Sequence, residues 1–270
     1  MRRTFDFVMT EHPTWLPTGE SHARVFACTG GSRWLAVACG RVVAVNRLTS
    51  APADEPCADV FALPEGLVAL VPELAAVLGR LGRVARFRNT CLWDAIGTAI
   101  IRQVIRAAQA KKLYRAFCKA HGERVALPPG GAYSLFPVPE IVLGLSDEQF
   151  AAAGMAFKRG ALRNAARAYI DQGEKWRELA PLTLTQELQS VPRIGPWTAH
   201  AAVADYSNDW SLYPYADLAV RTWARRAAPS YAWPDDEPSF GRTWRALAGE
   251  HLSSLTLLTL AWGSKHGDIG

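Results

Sequence analysis

The stretch of sequence that decides the fold reads VPRIGPWTAH, from Val191 to His200. It holds two prolines and a glycine within five residues, and an alanine-rich run follows directly. Gly195 tolerates a positive φ angle, and Pro196 suits the first position of a helix, because that position needs no backbone N–H. The pattern therefore predicts a helix, a tight turn and a second helix over residues 188–199.

A turn of this kind has two interpretations. The start of a helix exposes backbone N–H groups without partners, and these groups, together with the helix dipole, bind phosphate oxygens well. Short connections between helices are also common in helical bundles, where they bind nothing. The turn alone leaves both interpretations open.

The composition is that of a folded protein with an excess of basic residues. The chain has 270 residues, of which 49% are hydrophobic and 20% are charged, and its net charge is +5 with a pI of about 9.1. A basic excess fits a phosphate-bearing partner such as nucleic acid. No apolar run is long enough to span a membrane, and residues 1–6 lead into no apolar segment like that of a secretory signal. We expect a cytoplasmic protein.

The cysteines argue against a disulfide framework and against a metal site. They are odd in number, widely spaced and without a C-x-x-C pair. This spacing leaves too few neighbouring thiolates for a four-cysteine iron–sulfur cluster, and no zinc-ligand spacing occurs elsewhere. We expect no metal, and we expect buried free thiols at Cys28, Cys39, Cys57, Cys91 and Cys118.

The hydrophobic pattern divides the chain into two parts. Short segments rich in Val, Phe and Trp alternate with turn residues at the N-terminal end, as is typical of antiparallel strands, and a helical period follows. We therefore expect an α+β protein with an antiparallel β-sheet domain at 1–75 and a mostly helical body at 76–270, with the helix-turn-helix at about 184–206. The predicted strands are Thr4–Met9, Ala23–Cys28, Trp34–Cys39, Arg41–Arg47 and Asp59–Leu63.

The helical part begins with a strongly amphipathic segment. Apolar residues recur at three- and four-residue steps from Trp93 to Ala108, which predicts one helix of about five turns. Its other face carries Arg102, Arg106 and further basic residues, and taken alone these charges indicate a solvated helix face. A frayed end is expected from Lys265 onward. The other predicted helices are Pro139–Gly144, Ser146–Ala153, Lys158–Gln172, Thr183–Ser190, Trp197–Asp205, Asp217–Ala228 and Ser239–Ala261.

Asp217 immediately precedes an amphipathic helix and is predicted to cap its N-terminus, a role that needs no catalysis. The same position would also keep the carboxylate ionised. An ionised carboxylate beside an anomeric carbon is what N-glycosidic cleavage uses, because positive charge develops on the sugar. Asp205 and Asp209 are interpreted as surface or turn positions.

Three segments together carry a resemblance to a known family. They are LQSVPRIGPWTAHAAVADYSNDWSLYPYADLAVRTW at Leu188–Trp223, IIRQV at Ile100–Val104 and GMAFKR at Gly154–Arg159. With them the chain resembles the HhH-GPD DNA glycosylases, in which a helix-hairpin-helix precedes a Gly/Pro-rich loop and an aspartate, and within them the 3-methyladenine DNA glycosylase II branch. That branch has an extra N-terminal β domain, and the lack of cysteines after Cys118 sets the chain apart from the iron–sulfur branch. The resemblance implies that Asp217 is the catalytic residue.

The resemblance also implies the base pocket and the DNA grip. Trp197 stands where the bifunctional branch has a nucleophilic lysine, which implies a monofunctional enzyme that uses water and forms no Schiff base. An aromatic ring here could stack on a cationic alkylated base, and core packing is its other interpretation. The base-pocket residues so implied are Trp197, His200, Ala201 and Tyr215. The implied DNA backbone-binding residues are Arg193, Ile194, Gly195, Pro196, Trp197 and Thr198.

Gln103 and Val104 are implied as the DNA wedge that fills the gap left by an extruded nucleotide, with core burial as an open alternative for Val104. No cofactor is implied as required, although the hairpin backbone of the family often holds a monovalent cation. The implied partner is double-stranded DNA with a damaged base, and a monomer is expected. The chain would excise that base, an alkylated purine, by base flipping and Asp-assisted hydrolysis.

Two positions depart from the family pattern. Arg193 replaces the first hairpin glycine, which costs free energy if the backbone there has a positive φ, and it adds a charge that can face phosphate. Ala201 replaces a pocket tyrosine and would leave a roomier site. These departures keep two alternatives open: a non-catalytic helix-hairpin-helix DNA-binding protein, and a glycosylase specialised for bulky or unusual adducts or for another N-glycoside.

Overall fold

The computed structural model describes residues 2–27, 31–50, 55–67, 71–128 and 130–266. A helical body is joined to β-sheets that are formed mainly by the N-terminal part of the chain. The strands are β1 (Arg2–Thr4), β2 (Phe7–Val8), β3 (Leu16–Thr18), β4 (Ser21–Ala27), β5 (Arg33–Cys39), β6 (Val42–Arg47), β7 (Ala58–Phe61), β8 (Val84–Phe87), β9 (Arg124–Ala126) and β10 (Ala132–Ser134).

The largest sheet is antiparallel throughout and has the strand order β1-β6-β5-β4-β3. A tight turn at Gly40, where φ is 53°, joins β5 to β6. β9 and β10 form a separate antiparallel hairpin. The predicted N-terminal antiparallel sheet is confirmed, except that Cys28, the last residue of one predicted strand, lies outside the described residues.

A second sheet, of order β2-β8-β7, departs from the prediction. The predicted strand Thr4–Met9 is split between the two sheets, and between its halves the Asp6 carboxylate accepts a hydrogen bond from the Arg83 backbone N–H at 2.8 Å. β2 pairs with β8 in parallel and β7 with β8 in antiparallel. All of β8 is buried, so its residues show no alternation that would predict a strand. The sheet extends past residue 75, and the domain division there stays a prediction.

Most predicted helices lie within two residues of their observed bounds, but the one predicted at Lys158–Gln172 runs on to Glu178, and the helices at Pro72–Gly79 and 109–121 are not predicted. Two further predicted helices are broken. The segment predicted as one helix from Trp93 to Ala108 breaks after Arg102, because Val104 has a φ of 57°, which a right-handed helix does not allow. The predicted helix Ser239–Ala261 breaks at Gly249, where φ is 52°. The helices are α1 (Pro72–Gly79), α2 (Leu92–Arg102), α3 (Ala107–His121), α4 (Pro139–Gly144), α5 (Asp147–Ala152), α6 (Arg159–Glu178), α7 (Pro181–Gln189), α8 (Pro196–Ser207), α9 (Leu218–Ala227), α10 (Glu237–Ala248) and α11 (Leu252–His266).

The central helix of the body is α2, which is buried along its length except at Arg102 and packs against α8, α6 and α3. The apolar face that the sequence predicts for this helix from Trp93 to Ile101 is confirmed. Ala108 is exposed, because the break after α2 rotates it away from the core. This packing fixes the C-terminal end of α2 beside the N-terminal end of α8.

A buried ionic cluster joins the sheets to the helices and corrects the prediction for Asp205. Only 4% of Asp205 is exposed, and its carboxylate pairs with the Arg86 guanidinium, with Asn89 Nδ2 at 2.9 Å and with His12 Nε2 at 3.2 Å. Burial alone would raise the pKa of Asp205, but the electrostatic interactions with His12 and Arg86 outweigh it and hold the pKa well below its usual value. Asp205 is therefore a structural carboxylate of the interior and not a surface residue.

Other predictions for single residues have mixed outcomes. Asp209 lies in a turn, where its carboxylate accepts from the Ser211 backbone N–H at 3.0 Å, as predicted. The four described cysteines are free, but Cys39 and Cys57 are exposed, which contradicts their predicted burial, and Cys28 lies outside the described residues. Lys265 lies in α11, which runs on to the last described residue, so the predicted frayed end concerns only 267–270, which the structure does not describe. None of the described helices is long and apolar enough to cross a membrane.

Candidate nucleic-acid interface and active site

The predicted helix, turn and helix are present as α7 and α8, and the strained residue is Arg193, where the missing hairpin glycine predicts a cost, and not Gly195. Gly195 has a φ of −83° and is the N-cap of α8, with Pro196 at the first helical position. Arg193 carries the positive φ, of 72°. A non-glycine residue in this region costs about 1–2 kcal/mol, so Arg193 stands where glycine would be favoured.

The outer surface of the hairpin consists of backbone and of one basic side chain. Arg193, Gly195 and Pro196 are exposed, whereas the side chains of Ile194 and Thr198 are buried, each at 3% exposure. The first-turn N–H groups of α8 have no partner within the helix, and no side chain caps them. Of the predicted backbone-binding residues, Ile194 and Thr198 therefore have only main-chain atoms available for a ligand.

Gln103 ties the hairpin to the end of α2. Its side-chain amide donates to the Thr198 hydroxyl at 2.8 Å and to the Arg193 carbonyl at 3.3 Å. Its own backbone carbonyl accepts from the Lys158 ammonium at 2.5 Å. The three segments that carry the sequence resemblance therefore meet at Gln103, a convergence that no pattern in the sequence could reveal.

Two apolar side chains next to these bonds project into solvent. Val104 is fully exposed at its positive φ, which is a rare backbone for a β-branched residue, and core burial is thereby excluded. Phe157 is 95% exposed and directly precedes Lys158, which binds Gln103. The sequence shows Phe157 only as part of a motif. Its exposure marks it as a second apolar projection beside Val104.

Asp217 caps α9 as predicted and keeps both carboxylate oxygens engaged. Its Oδ1 accepts from the Val220 backbone N–H at 3.0 Å, and its Oδ2 accepts from the Tyr213 hydroxyl at 2.8 Å. Burial and the Asp217 charge raise the pKa of Tyr213, so this hydroxyl remains a donor. Asp217 itself is only half-buried, and each oxygen retains a lone pair for a further partner. The sequence does not indicate Tyr213, which positions the carboxylate.

Arg102 lies within the candidate site and not on a solvated face, which corrects the sequence interpretation. Its guanidinium carbon is 5.9 Å from the centre of the Trp197 ring. Burial lowers the pKa of Arg102, but its interactions with the Tyr213 hydroxyl and the Asp217 carboxylate outweigh this effect and raise it. Arg102 is a permanent cation that connects the predicted stacking residue to the predicted catalytic carboxylate.

The remaining predicted pocket residues occupy different environments. His200 is half-buried, and its Nδ1 donates to the Leu212 carbonyl at 2.8 Å, so Nε2 of the neutral ring is an acceptor. Ala201, at 2% exposure, is buried in the main core. Tyr215 is half-buried and packs against that core. His200 and Tyr215 have surface available for a ligand, whereas Ala201 is packed as a core residue.

The described residues contain no group of three or more His, Cys, Asp or Glu side chains that could hold a metal ion.

The structure is similar to those of DNA glycosylases at low sequence identity. The 3-methyladenine DNA glycosylase of Archaeoglobus fulgidus aligns over 100% of both chains at 17% identity, with a TM-score of 0.72. A Clostridium acetobutylicum 8-oxoguanine glycosylase/lyase, solved with duplex DNA containing cytosine opposite 8-oxoguanine, covers 98% of this chain and 94% of its own at 16% identity, with a TM-score of 0.71. A DNA-3-methyladenine glycosidase of Bacillus halodurans covers 78% and 95% at 18% identity, with a TM-score of 0.53. No protein-family model and no curated protein matches the sequence. The chain therefore has the fold of these glycosylases, and the expected α+β architecture is confirmed.

Proposed function

We propose that this chain, which has the DNA glycosylase fold, is a monofunctional DNA N-glycosylase that extrudes a damaged base from duplex DNA and releases it by hydrolysis. The observation that carries the proposal is the placement of Asp217. Its half-buried carboxylate is fixed by Val220 and Tyr213 and lies within electrostatic range of Arg102, whose other neighbour is Trp197. A fixed carboxylate near the anomeric carbon stabilises the positive charge that develops on the sugar as the base–sugar bond breaks.

The duplex would be held at the hairpin. The free N–H groups at the start of α8 and the exposed Arg193 side chain offer donors to phosphate oxygens. Arg106 is a further exposed cation close to the wedge. Such contacts position the protein on DNA without reading the sequence of bases.

The target nucleotide would leave the stack as Val104 enters it. The side chains of Val104 and Phe157 are almost fully exposed. A hydrogen bond from the Lys158 ammonium to the Gln103 carbonyl joins the residues next to them in the chain. Apolar side chains inserted between base pairs unstack and kink DNA, and they occupy the space of an extruded nucleotide. The Gln103 bonds to the hairpin couple this wedge directly to the phosphate grip.

The chemistry needs one carboxylate and one water. As the glycosidic bond breaks, its electron pair leaves with the base, and Asp217 stabilises the positive charge that develops on the sugar. Water then adds to C1′ and loses a proton to solvent, which leaves an abasic site. A neutral base takes up one proton as it leaves, whereas a cationic alkylated base becomes the neutral free base without one. Trp197 offers no amine for a Schiff base, which supports hydrolysis without strand cleavage.

Other parts of the proposal rest on the sequence. The substrate class expected from the resemblance is an alkylated purine, and a monovalent cation bound by hairpin carbonyls stays a proposal without a role in the reaction.

The test is a panel of duplexes, each with one damaged base and a labelled strand. We expect release of at least one damaged purine, with strand breakage only after alkali, since alkali cleaves abasic sites. Breakage without alkali would contradict the monofunctional mechanism. Salt-dependent duplex binding without release from any duplex would identify a non-catalytic DNA-binding protein. Release of bulky adducts alone would identify a specialised glycosylase.

A further inference from the structure

Arg102 is a charged side chain of the candidate site that the hydrolytic mechanism does not use. Its guanidinium lies 5.9 Å from the centre of the Trp197 ring and interacts electrostatically with Asp217 and Glu11. Arg102 is half-exposed at the C-terminal end of α2, and this helix packs against α8, which carries Trp197. An arginine held there is part of whatever surface meets the extruded base.

We propose that Arg102 is a specificity-determining residue, which makes the pocket select a neutral base with hydrogen-bond acceptors and disfavour a cationic one. This inference rests on the proposed glycosylase function and names the substrate class of the same site. It refines the expectation of an alkylated purine, because alkylation at a ring nitrogen such as N7 of guanine gives the base a positive charge, whereas other lesions remain neutral.

The first argument concerns the Trp197 ring. Stacking of a cationic base on tryptophan gains its attraction from the negative face of the ring. In this structure a guanidinium already lies near that ring. A second cation placed there would be repelled at short range in a partly desolvated site, where charges interact more strongly than in water.

The second argument concerns hydrogen bonding. A guanidinium presents only donors, in a planar fork that suits carbonyl oxygens and unprotonated ring nitrogens. A neutral purine carries such acceptors on its edges, whereas alkylation at a ring nitrogen removes one of them. The carboxylates of Asp217, Asp205 and Glu11 lie within electrostatic range of the guanidinium. These carboxylates also attract cations, so the net charge around a bound base depends on the positive charge of Arg102.

The test compares two lesions in one duplex sequence: hypoxanthine, which is neutral, and 7-methylguanine, which is cationic. Single-turnover release rates are measured for the wild type, for Arg102→Gln, which removes the charge, and for Arg102→Lys, which keeps it. The readout is the ratio of the 7-methylguanine rate to the hypoxanthine rate. An effect of Arg102 on Asp217 or on folding cancels in this ratio, because it acts on both substrates.

We expect Arg102→Gln to raise the ratio by about tenfold or more, and Arg102→Lys to leave it within about threefold of the wild type. An unchanged ratio in Arg102→Gln would overturn the inference, and so would an equal change in both variants. Binding to an abasic-analogue duplex, which needs no base pocket, shows that each variant is folded.

A second arm separates this inference from the proposed function. Dissociation constants are measured for duplexes that carry the same two bases on 2′-fluoro nucleotides, whose glycosidic bond resists cleavage. If the wild type releases no base from any duplex of the damaged-base panel, the glycosylase proposal fails. Tighter binding of the neutral duplex that is lost in Arg102→Gln would still support the selectivity, and equal binding in all variants would refute it.

Discussion

Asp205 lies in the last turn of α8 and Asp217 caps α9, and the two carboxylates have opposite surroundings. Asp205 is buried in the ionic cluster, with Arg86, Asn89 and His12 around its carboxylate. Asp217 is half-buried, and the only described hydrogen bonds to its carboxylate come from the Val220 N–H and the Tyr213 hydroxyl. The first carboxylate is surrounded by protein, whereas the second faces the site.

We interpret the difference as the one between a structural carboxylate and the proposed catalytic one. The cluster around Asp205 neutralises the charge of this carboxylate and connects β8 to α8, so its interactions act on the folded state. Asp217 is fixed in direction but keeps acceptor capacity, which is what an electrostatic catalyst needs. If this distinction is right, removing each charge damages a different property of the protein.

The largest effect is expected for Asp217→Asn. Asparagine is a good helix cap and should keep α9 in place, so only the charge is lost. We expect base release to fall by about 1,000-fold or more, since the sugar cation loses its stabilising anion. Duplex binding should stay within a few-fold of the wild type. A variant that releases bases at the wild-type rate would show that Asp217 is only a cap.

The converse variant is Asp205→Asn, which leaves Arg86 and His12 buried beside a neutral side chain. We expect a loss of about 3–5 kcal/mol in the free energy of unfolding, measured by denaturant titration. Base release per folded molecule should be nearly unchanged. Asp209→Asn, in the neighbouring turn, is the matched control and should change stability by less than about 0.5 kcal/mol.

The pH dependence of stability sharpens this prediction. The pKa of Asp205 is held well below its usual value, mainly by His12 and Arg86 acting against burial. Its contribution to stability is therefore complete above the unfolded pKa of about 4 and is lost as the pH falls below it. Wild-type stability should fall more steeply than that of Asp205→Asn below about pH 4. If the two curves of unfolding free energy against pH are parallel, the pKa of Asp205 is not lowered in the folded protein.

The smallest effect is expected at the hairpin, where Arg193 combines backbone strain with a charge. Arg193→Gly should stabilise the fold by about 0.5–1 kcal/mol, because glycine adopts the 72° φ without steric cost. It should also lower the salt dependence of duplex binding by about one phosphate contact. Arg193→Ala removes the same charge but keeps the strain, so it should weaken binding equally without stabilising the fold. If Arg193→Gly and Arg193→Ala have the same free energy of unfolding, the backbone at this position is not strained.

Much of the fold was predictable, because local patterns report on local structure. The hairpin stretch has turn chemistry that few other structures accommodate, and α7 and α8 appear where it predicts them. The break after α2 was not predictable, since apolar residues continue on the same period through Ile105. What ends the helix is the positive φ of Val104, next to Gln103 with its bonds to the hairpin and to Lys158.

The candidate site divides in the same way. Asp217 and Trp197 follow from the sequence, because their places relative to the hairpin are local spacings. Tyr213 and Arg102 do not, although both are close to candidate residues in the chain. A tyrosine in a loop and an arginine on a helix usually have no specific function, and only the distances in the structure place these two beside the candidate site.

By itself, the sequence of this protein determines an α+β chain with a helix-hairpin-helix and a capping aspartate, because propensity, capping and turn chemistry act over a few residues. The tertiary structure alone decides which charges are buried and which face the site. The structure changes the interpretation of Asp205 and of Arg102 for this reason. The residues that bury them and interact with their charges come from segments far apart in the chain. Whether a charged residue stabilises the fold or meets a ligand is therefore a property of packing.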